Sequence, residues 1–333
     1  MDLTVHTFTG MTFGAALTAS GVWNPSTIVE QMRFHDFHML KVFMAASSAS
    51  ALMMHLLSLS GRVPNKPRPE SRLLTGIPYD GNIIGGAMVG FGMTLTGACP
   101  GTVLVQIVTG TYPGLYSFIG GLAGGILYIP LQSYLRRPCA KSGDENLLLY
   151  TKYHLSPSLS VLAYESMCIG VIGLATKLAP AQGDSLFLPP VVGGLFIGAA
   201  QLVSLALRRA PVGISTAYED IGAKVCGFFK EEESKQGGQF PTQAMAFAAG
   251  VMIGASTLVR LVPKIVLANA GLDLGISPMR AVLGGVVMVL GARLAGGCTS
   301  GHGISGMSML ATSSVVTVAS MFGGGMALAQ VMS

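Results

Sequence analysis

Two cysteines, Cys99 and Cys298, lie 199 positions apart in matching surroundings. Aligned at that shift without a gap, Gly85, Gly86, Gly92, Leu95, Gly97 and Cys99 meet Gly284, Gly285, Gly291, Leu294, Gly296 and Cys298. A thiol can donate a weak hydrogen bond, act as a nucleophile once deprotonated, or simply pack as a small apolar group. A place in a repeated segment favours a chemical role for this pair. The residues that follow suit a helix start. Pro100 is placed for a first helical position, ahead of Gly101 and Thr102, while Thr299 and Ser300 can cap a restart ahead of Gly301, His302 and Gly303. A helix that begins beside a thiol turns its free N–H groups toward it and favours a bound anion.

Each cysteine must be held by an apolar helix that thins into glycine at Gly97 or at Gly296 and Gly297, breaks, and restarts. A broken helix leaves backbone N–H and C=O groups unpaired, which hydrocarbon does not tolerate, so both breaks belong inside protein or beside water. Paired interruptions in the two halves of a membrane chain point to a solute site between them.

The composition requires a membrane. Of 333 residues, 50% are hydrophobic and only 11% charged, too few to cover a water-soluble surface. Stretches free of Asp, Glu, Lys, Arg and His run from Gly81 to Thr109, Pro113 to Leu135, Phe187 to Leu207, Thr242 to Val259 and Gly303 to Met332. Weaker spans lie at Leu3 to Val22, Phe37 to Ser60 and Ser158 to Thr176. The reading is an all-α polytopic membrane protein with about nine transmembrane helices plus short and broken ones. Three loops, Gly61 to Tyr79, Arg136 to Pro157 and Arg208 to Phe240, hold thirteen of the twenty Lys and Arg residues and are expected in the cytosol, with the N-terminus inside and the C-terminus outside. The net charge of +5 therefore concerns topology and anionic lipid, and no nucleic acid is expected. No basic segment precedes the first apolar stretch, so a cleaved signal peptide is not expected. Five cysteines without CxxC spacing predict neither a disulfide framework nor a metal site, and Cys139, Cys168 and Cys226 are expected to pack.

A second pair of repeated elements precedes the cysteines. Gly10, Gly14, Ala15, Ala16 and Ser20 recur as Gly194, Gly198, Ala199, Ala200 and Ser204, and Ser26 to Glu30 resembles Ser215 to Glu219. Thr27 with Glu30 and Thr216 with Glu219 read as capping boxes opening short helices. The chain then divides into one membrane domain, 1–333, with a first repeat at 1–135, a connecting loop and extra helix at 136–180, and an inverted second repeat at 181–333. Short and broken helices should converge near the midplane.

Other residues carry paired readings. Arg293, one turn before Cys298, either attracts an anion or caps carbonyls. His302 either tunes the thiol or braces its turn. Glu165 either couples protons or faces a neighbouring helix, Glu30 and Glu219 cap helices, and Met93, Met307 and Met309 pack. Trp23 either narrows an entrance or anchors at the interface.

At Gly296, Gly297, Cys298, Thr299, Ser300, Gly301, His302, Gly303 and Gly306, and at Thr96, Gly97, Ala98, Cys99, Pro100 and Gly101, the sequence resembles the YeeE/YedE family of sulfur-transport membrane proteins. The resemblance implies an hourglass-like helical monomer whose cysteines pass thiosulfate along through S–H···S hydrogen bonds, a role that falls here on Cys99 and Cys298. Relatives often carry a third cysteine in the first short-helix loop, where this chain has Gly21, Val22, Trp23, Asn24 and Pro25. The resemblance also implies a cytosolic sulfur-carrier protein as partner. With no nucleotide-binding motif and no cofactor expected, the leading expectation is facilitated or ion-coupled uptake of a small sulfur-containing anion, thiosulfate first. The expected location is a plasma or inner membrane, with an organelle as the alternative. The rival is a membrane sulfurtransferase or thiol redox enzyme that forms a persulfide on Cys298 with His302 as acid or base. A third reading is an assembly subunit without a pore.

Overall fold

The computed structural model describes residues 3–59, 61, 67–73, 77–135, 147–179, 187–229, 241–264 and 275–332; Cys139 and all the residues from 136 to 146 and from 230 to 240 fall outside them. In chain order the helices are α1 (Leu3–Ala19), α2 (Pro25–Met32), α3 (His38–Leu59), α4 (Asp80–Thr96), α5 (Thr102–Thr109), α6 (Gly114–Leu135), α7 (Leu149–Lys152), α8 (Pro157–Leu178), α9 (Pro190–Arg208), α10 (Ser215–Phe229), α11 (Gln243–Leu261), α12 (Pro278–Leu294) and α13 (Thr312–Met332). A π-helical segment, Ser300–Gly306, lies between α12 and α13. Six of these helices, α3, α6, α8, α9, α11 and α13, are long and apolar enough to cross a bilayer. Three more, α1, α4 and α12, have 17 residues each. This is a multi-pass, all-α membrane protein.

Glycine sets which helices touch. A Cβ on Gly85 would lie 2.5 Å from the Ala295 nitrogen and 2.6 Å from the Gly291 oxygen, and one on Gly284 would lie 2.6 Å from Thr96. Only bare backbone lets α4 and α12 approach this closely, and in lipid such packing replaces the missing hydrophobic drive between helices. The pairing runs early residue against late residue on both helices, so α4 and α12 are antiparallel. By contrast α1 lies parallel to α11, with Gly10 on Phe247 and Gly14 on Val251, and α3 lies parallel to α9, with Gly194 on Val42 and Gly198 on Ala49. The pairs α1–α11 and α3–α9, α4–α13 and α6–α12, and α2–α13 and α6–α10 exchange with one another when first-half elements are swapped for second-half ones. Repeat-related helices that meet antiparallel require a two-fold axis in the membrane plane.

One long helix has no counterpart in that exchange. α8 packs on α3 and leaves Leu159, Leu162, Met167, Ile169, Leu174 and Leu178 exposed, a face suited to acyl chains. It buries Cys168 and turns Glu165 to Ser48 of α3, which donates to the carboxylate, while Tyr164 donates to Ser47 at 2.9 Å. Of its two readings, Glu165 therefore faces a neighbouring helix.

Several local expectations need correction. α2 is capped by Asn24, whose side chain accepts from the Ser26 N–H at 3.0 Å with Pro25 in the first turn, so Thr27 and Glu30 form no capping box. Glu30 bonds His35 at 2.7 Å and pairs with Arg33 instead. Glu219 reaches Arg293 rather than its own helix start. Trp23 is fully buried against Phe187 and is no interfacial anchor.

Candidate functional site

The first break is a hydroxyl-capped turn. α4 ends where Gly97 takes a left-handed conformation (φ 62°) and its N–H bonds the Met93 carbonyl at 2.9 Å. The Thr96 hydroxyl accepts from the Ala98 N–H at 3.1 Å, and the Thr102 hydroxyl accepts from the Cys99 N–H at 2.8 Å. In return the Thr102 N–H and hydroxyl both lie 3.4 Å from the Cys99 sulfur. Pro100 belongs to the turn and α5 begins at Thr102, so it is the threonine, not the proline, that starts the helix. The thiol nonetheless faces a helix N-terminus as the spacing predicts. Gln106 fastens the turn from behind, donating to the carbonyls of Gly97 (2.9 Å) and Trp23 (2.8 Å). The α2 start closes in as well: a Cβ on Gly97 would meet Pro25 at 2.8 Å.

The second break is built differently. After Leu294 the chain turns at Gly296 (φ 82°), and the Gly297 N–H bonds the Ala292 carbonyl at 2.8 Å. The helix restarts at Thr299, where the His302 N–H bonds the Cys298 carbonyl at 2.8 Å, and from Ser300 to Gly306 it is π-helical, a geometry that frees backbone groups from the usual register. Thr299 and Ser300 do not cap it. The Thr299 hydroxyl points to the Met93 sulfur (3.7 Å), and the Ser300 hydroxyl lies 3.3 Å from the Cys298 sulfur. The N–H groups of Ile214 and Ser215, at the start of α10, and that of Gly301 point to the same sulfur. Short helix α10 thus meets the second break as α2 meets the first.

His302 and Arg293 are both committed. The imidazole is fully buried, with Nε2 3.2 Å from the Ala295 carbonyl and Nδ1 2.9 Å from the Ser314 hydroxyl. A carbonyl only accepts, so Nε2 carries the proton and Nδ1 accepts from serine. His302 braces the turn, the second of its two readings. Arg293 neither caps a carbonyl nor stands free. It pairs with Glu219, lies 3.4 Å from the Ser215 hydroxyl, and stacks over the Tyr128 ring at 5.7 Å.

Sequence reasoning missed three participants. Tyr218, on α10, donates to the Pro100 carbonyl at 3.0 Å and lies within electrostatic reach of both thiols, tying the second half to the first break. Met93 does more than pack, since the Thr299 hydroxyl of the second half points to its sulfur at 3.7 Å. Arg68, from the loop before α4, donates through Nη1 to the Gly296 carbonyl at 2.6 Å. In the sequence it is one of the basic residues of the Gly61 to Tyr79 loop, and no local spacing marks it out.

Cys99 and Cys298 belong to one buried core, at 4% and 1% exposure. Ile214 spans them: its N–H faces Cys298, and its Cδ1 would lie 3.0 Å from a Cβ on Gly101, which itself would be 3.9 Å from the Cys99 sulfur. Among the described residues no group of His, Cys, Asp and Glu is arranged to hold a metal. Cys226 packs, its sulfur 3.8 Å from the Ile126 carbonyl.

Residues 19–327 match the family described as sulphur transport. The chain belongs to that family. It is 25% identical over 328 residues to the thiosulfate transporter TsuA of Spirochaeta thermophila, an alignment covering 92% of this chain and 91% of that one. A probable transporter of Xylella fastidiosa is 29% identical over 146 residues, 43% of this chain but 93% of the relative. The relatives carry the names of transporters, and this family member is likewise read as one rather than as an enzyme.

Proposed function

We propose that the protein carries a small sulfur-containing anion, thiosulfate first, through a constriction lined by Cys99 and Cys298. The observation that supports this most is the pairing of two buried thiols at repeat-related helix breaks, each facing the N–H groups of a helix start. Such groups favour an anion without a fixed charge, and a thiol donates weakly to a soft terminal sulfur. The similarity to TsuA supports thiosulfate as the first substrate to test. Gly97, Pro100, Gly101 and Thr102 would form the upper contact; Gly297, Thr299, Ser300 and Gly301 would form the lower, with His302 bracing it from behind. Arg293 would act indirectly by holding α10.

The halves 1–135 and 181–333, joined through 136–180, would act as two opposed units of one membrane domain. With the basic loops in the cytosol, Cys99 meets the anion first and Cys298 releases it inward, where a soluble sulfur-carrier protein would accept it. The test is growth of a sulfur-starved bacterial host on thiosulfate, comparing the native chain with Cys99→Ala and Cys298→Ala. Growth restored by the native chain and lost in both variants is expected; equal growth of all three would refute the reading. Intact-mass measurement after thiosulfate exposure separates transport, with unmodified thiols, from an enzyme that leaves a sulfur adduct on Cys298.

A further inference from the structure

Arg68 reaches the second break from outside the repeat motif. The segment 67–73 is strapped across the ends of α4 and α12. The Ser71 hydroxyl donates to the Leu294 carbonyl at 2.5 Å, the Ser71 N–H donates to Asn82 at 2.8 Å, and the Leu73 N–H donates to Asp80 at 2.7 Å. Ser313, at the start of α13, donates to the Arg68 carbonyl at 2.9 Å. These bonds fix the backbone and aim the side chain inward.

The guanidinium occupies a slot that Gly297 and Gly301 leave open. A Cβ on Gly297 would lie 2.7 Å from Nη1, one on Gly301 2.9 Å from Nη2, and one on Gly213 3.5 Å from Nη2. Those glycines flank Cys298 and the start of α10, so the cation lies beside the N–H groups that face the Cys298 sulfur. Its Nη1 takes only a neutral carbonyl, and its Nε is buried without a partner. Arg293, the other cation of the break, is neutralised by Glu219. Among the described residues no carboxylate pairs with Arg68. A half-buried cation whose Nε is shut off from water and has no counter-ion is unfavourable, and an anion would complete it.

We propose that Arg68 is the specificity-determining charge at Cys298, binding the oxygen end of a two-ended sulfur oxyanion while the thiol meets its terminal sulfur. The planar guanidinium matches a sulfonate-like face through paired N–H donors, which a lysine ammonium cannot reproduce. The inference rests on the transport reading and assigns each end of the anion to a different group.

The test uses the full-length chain in proteoliposomes, with initial uptake of radiolabelled thiosulfate measured against concentration for wild type, Arg68→Lys and Arg68→Gln. Arg68→Gln is expected to raise the half-saturating concentration roughly ten- to hundredfold, the effect of one lost charged hydrogen bond, with maximal rate and unfolding temperature nearly unchanged. Arg68→Lys should fall between. An unaltered half-saturating concentration in Arg68→Gln would overturn the proposal. So would a loss confined to maximal rate or unfolding temperature, since that marks a prop for the Gly296 carbonyl. If wild type imports nothing, the transport reading fails by itself. Calorimetric titration of the purified protein with thiosulfate then decides Arg68 separately: binding weakened in Arg68→Gln supports it, and binding equal in both or absent in wild type overturns it.

Discussion

The two breaks descend from one repeated segment yet hold their thiols by different means. At Cys99 a threonine does the work: Thr102 caps the turn, contacts the sulfur and opens a regular α-helix. At Cys298 the following helix is π-helical and no side chain caps it; support comes from the neighbouring His302 and Ser300 and, from farther along the chain, the α10 start and Arg68. Position 94 shows the divergence in one residue. Thr94 bonds the Gly325 carbonyl at 2.9 Å, whereas its repeat partner Arg293 is paired with Glu219. A two-fold fold therefore does not impose two equal sites. The second break is surrounded by charged side chains, Arg293, Glu219 and Arg68, and both breaks take support from distant segments, Tyr218 at the first and Arg68 at the second.

The largest test of this contrast is replacement of each thiol by serine. A hydroxyl keeps a hydrogen-bond donor but loses the soft sulfur, so Cys99→Ser and Cys298→Ser should both lower thiosulfate uptake in proteoliposomes by an order of magnitude or more. Retained uptake in one variant would show that only the other break needs sulfur.

Next comes the ion pair that exists in the second half alone. Glu219→Gln leaves Arg293, 11% exposed, without its carboxylate and should cost roughly 3 kcal/mol, the lower end for breaking a buried pair because Glu219 is 23% exposed. Thermal unfolding in detergent measures it, with Glu30→Gln at the repeat-related, exposed position expected to change little.

His302→Ala removes a brace bonded at both nitrogens and should destabilise by about 1–3 kcal/mol, while leaving the thiols unmodified by mass spectrometry. A persulfide present in wild type and absent in the variant would return His302 to acid–base chemistry. The smallest effect belongs to the first break, where Thr102→Val should cost about 1 kcal/mol through the lost cap and Thr102→Ser should restore it.

Much of this architecture was legible in the residues. Apolar runs without charge located the spans, because hydrocarbon requires every backbone group to be paired within its own helix. Glycines preceding each cysteine located the breaks, and Gly97 and Gly296 take the left-handed turns that end α4 and α12. The Asn24 cap, the threonine start of α5 and the π-helix were not legible. A capping pattern states which hydroxyl can accept, while the packing around it decides which N–H is left over.

By itself the sequence determined a helical membrane protein with two related, interrupted segments, since hydropathy and repetition are properties of position along the chain. The tertiary structure alone decided which charges reach the thiols. Arg68 lies 230 residues from Cys298, and Tyr218 lies 118 from the carbonyl it binds. Such partners are chosen by the antiparallel meeting of α4 and α12, and a one-dimensional pattern carries no record of which loop is laid across a helix end.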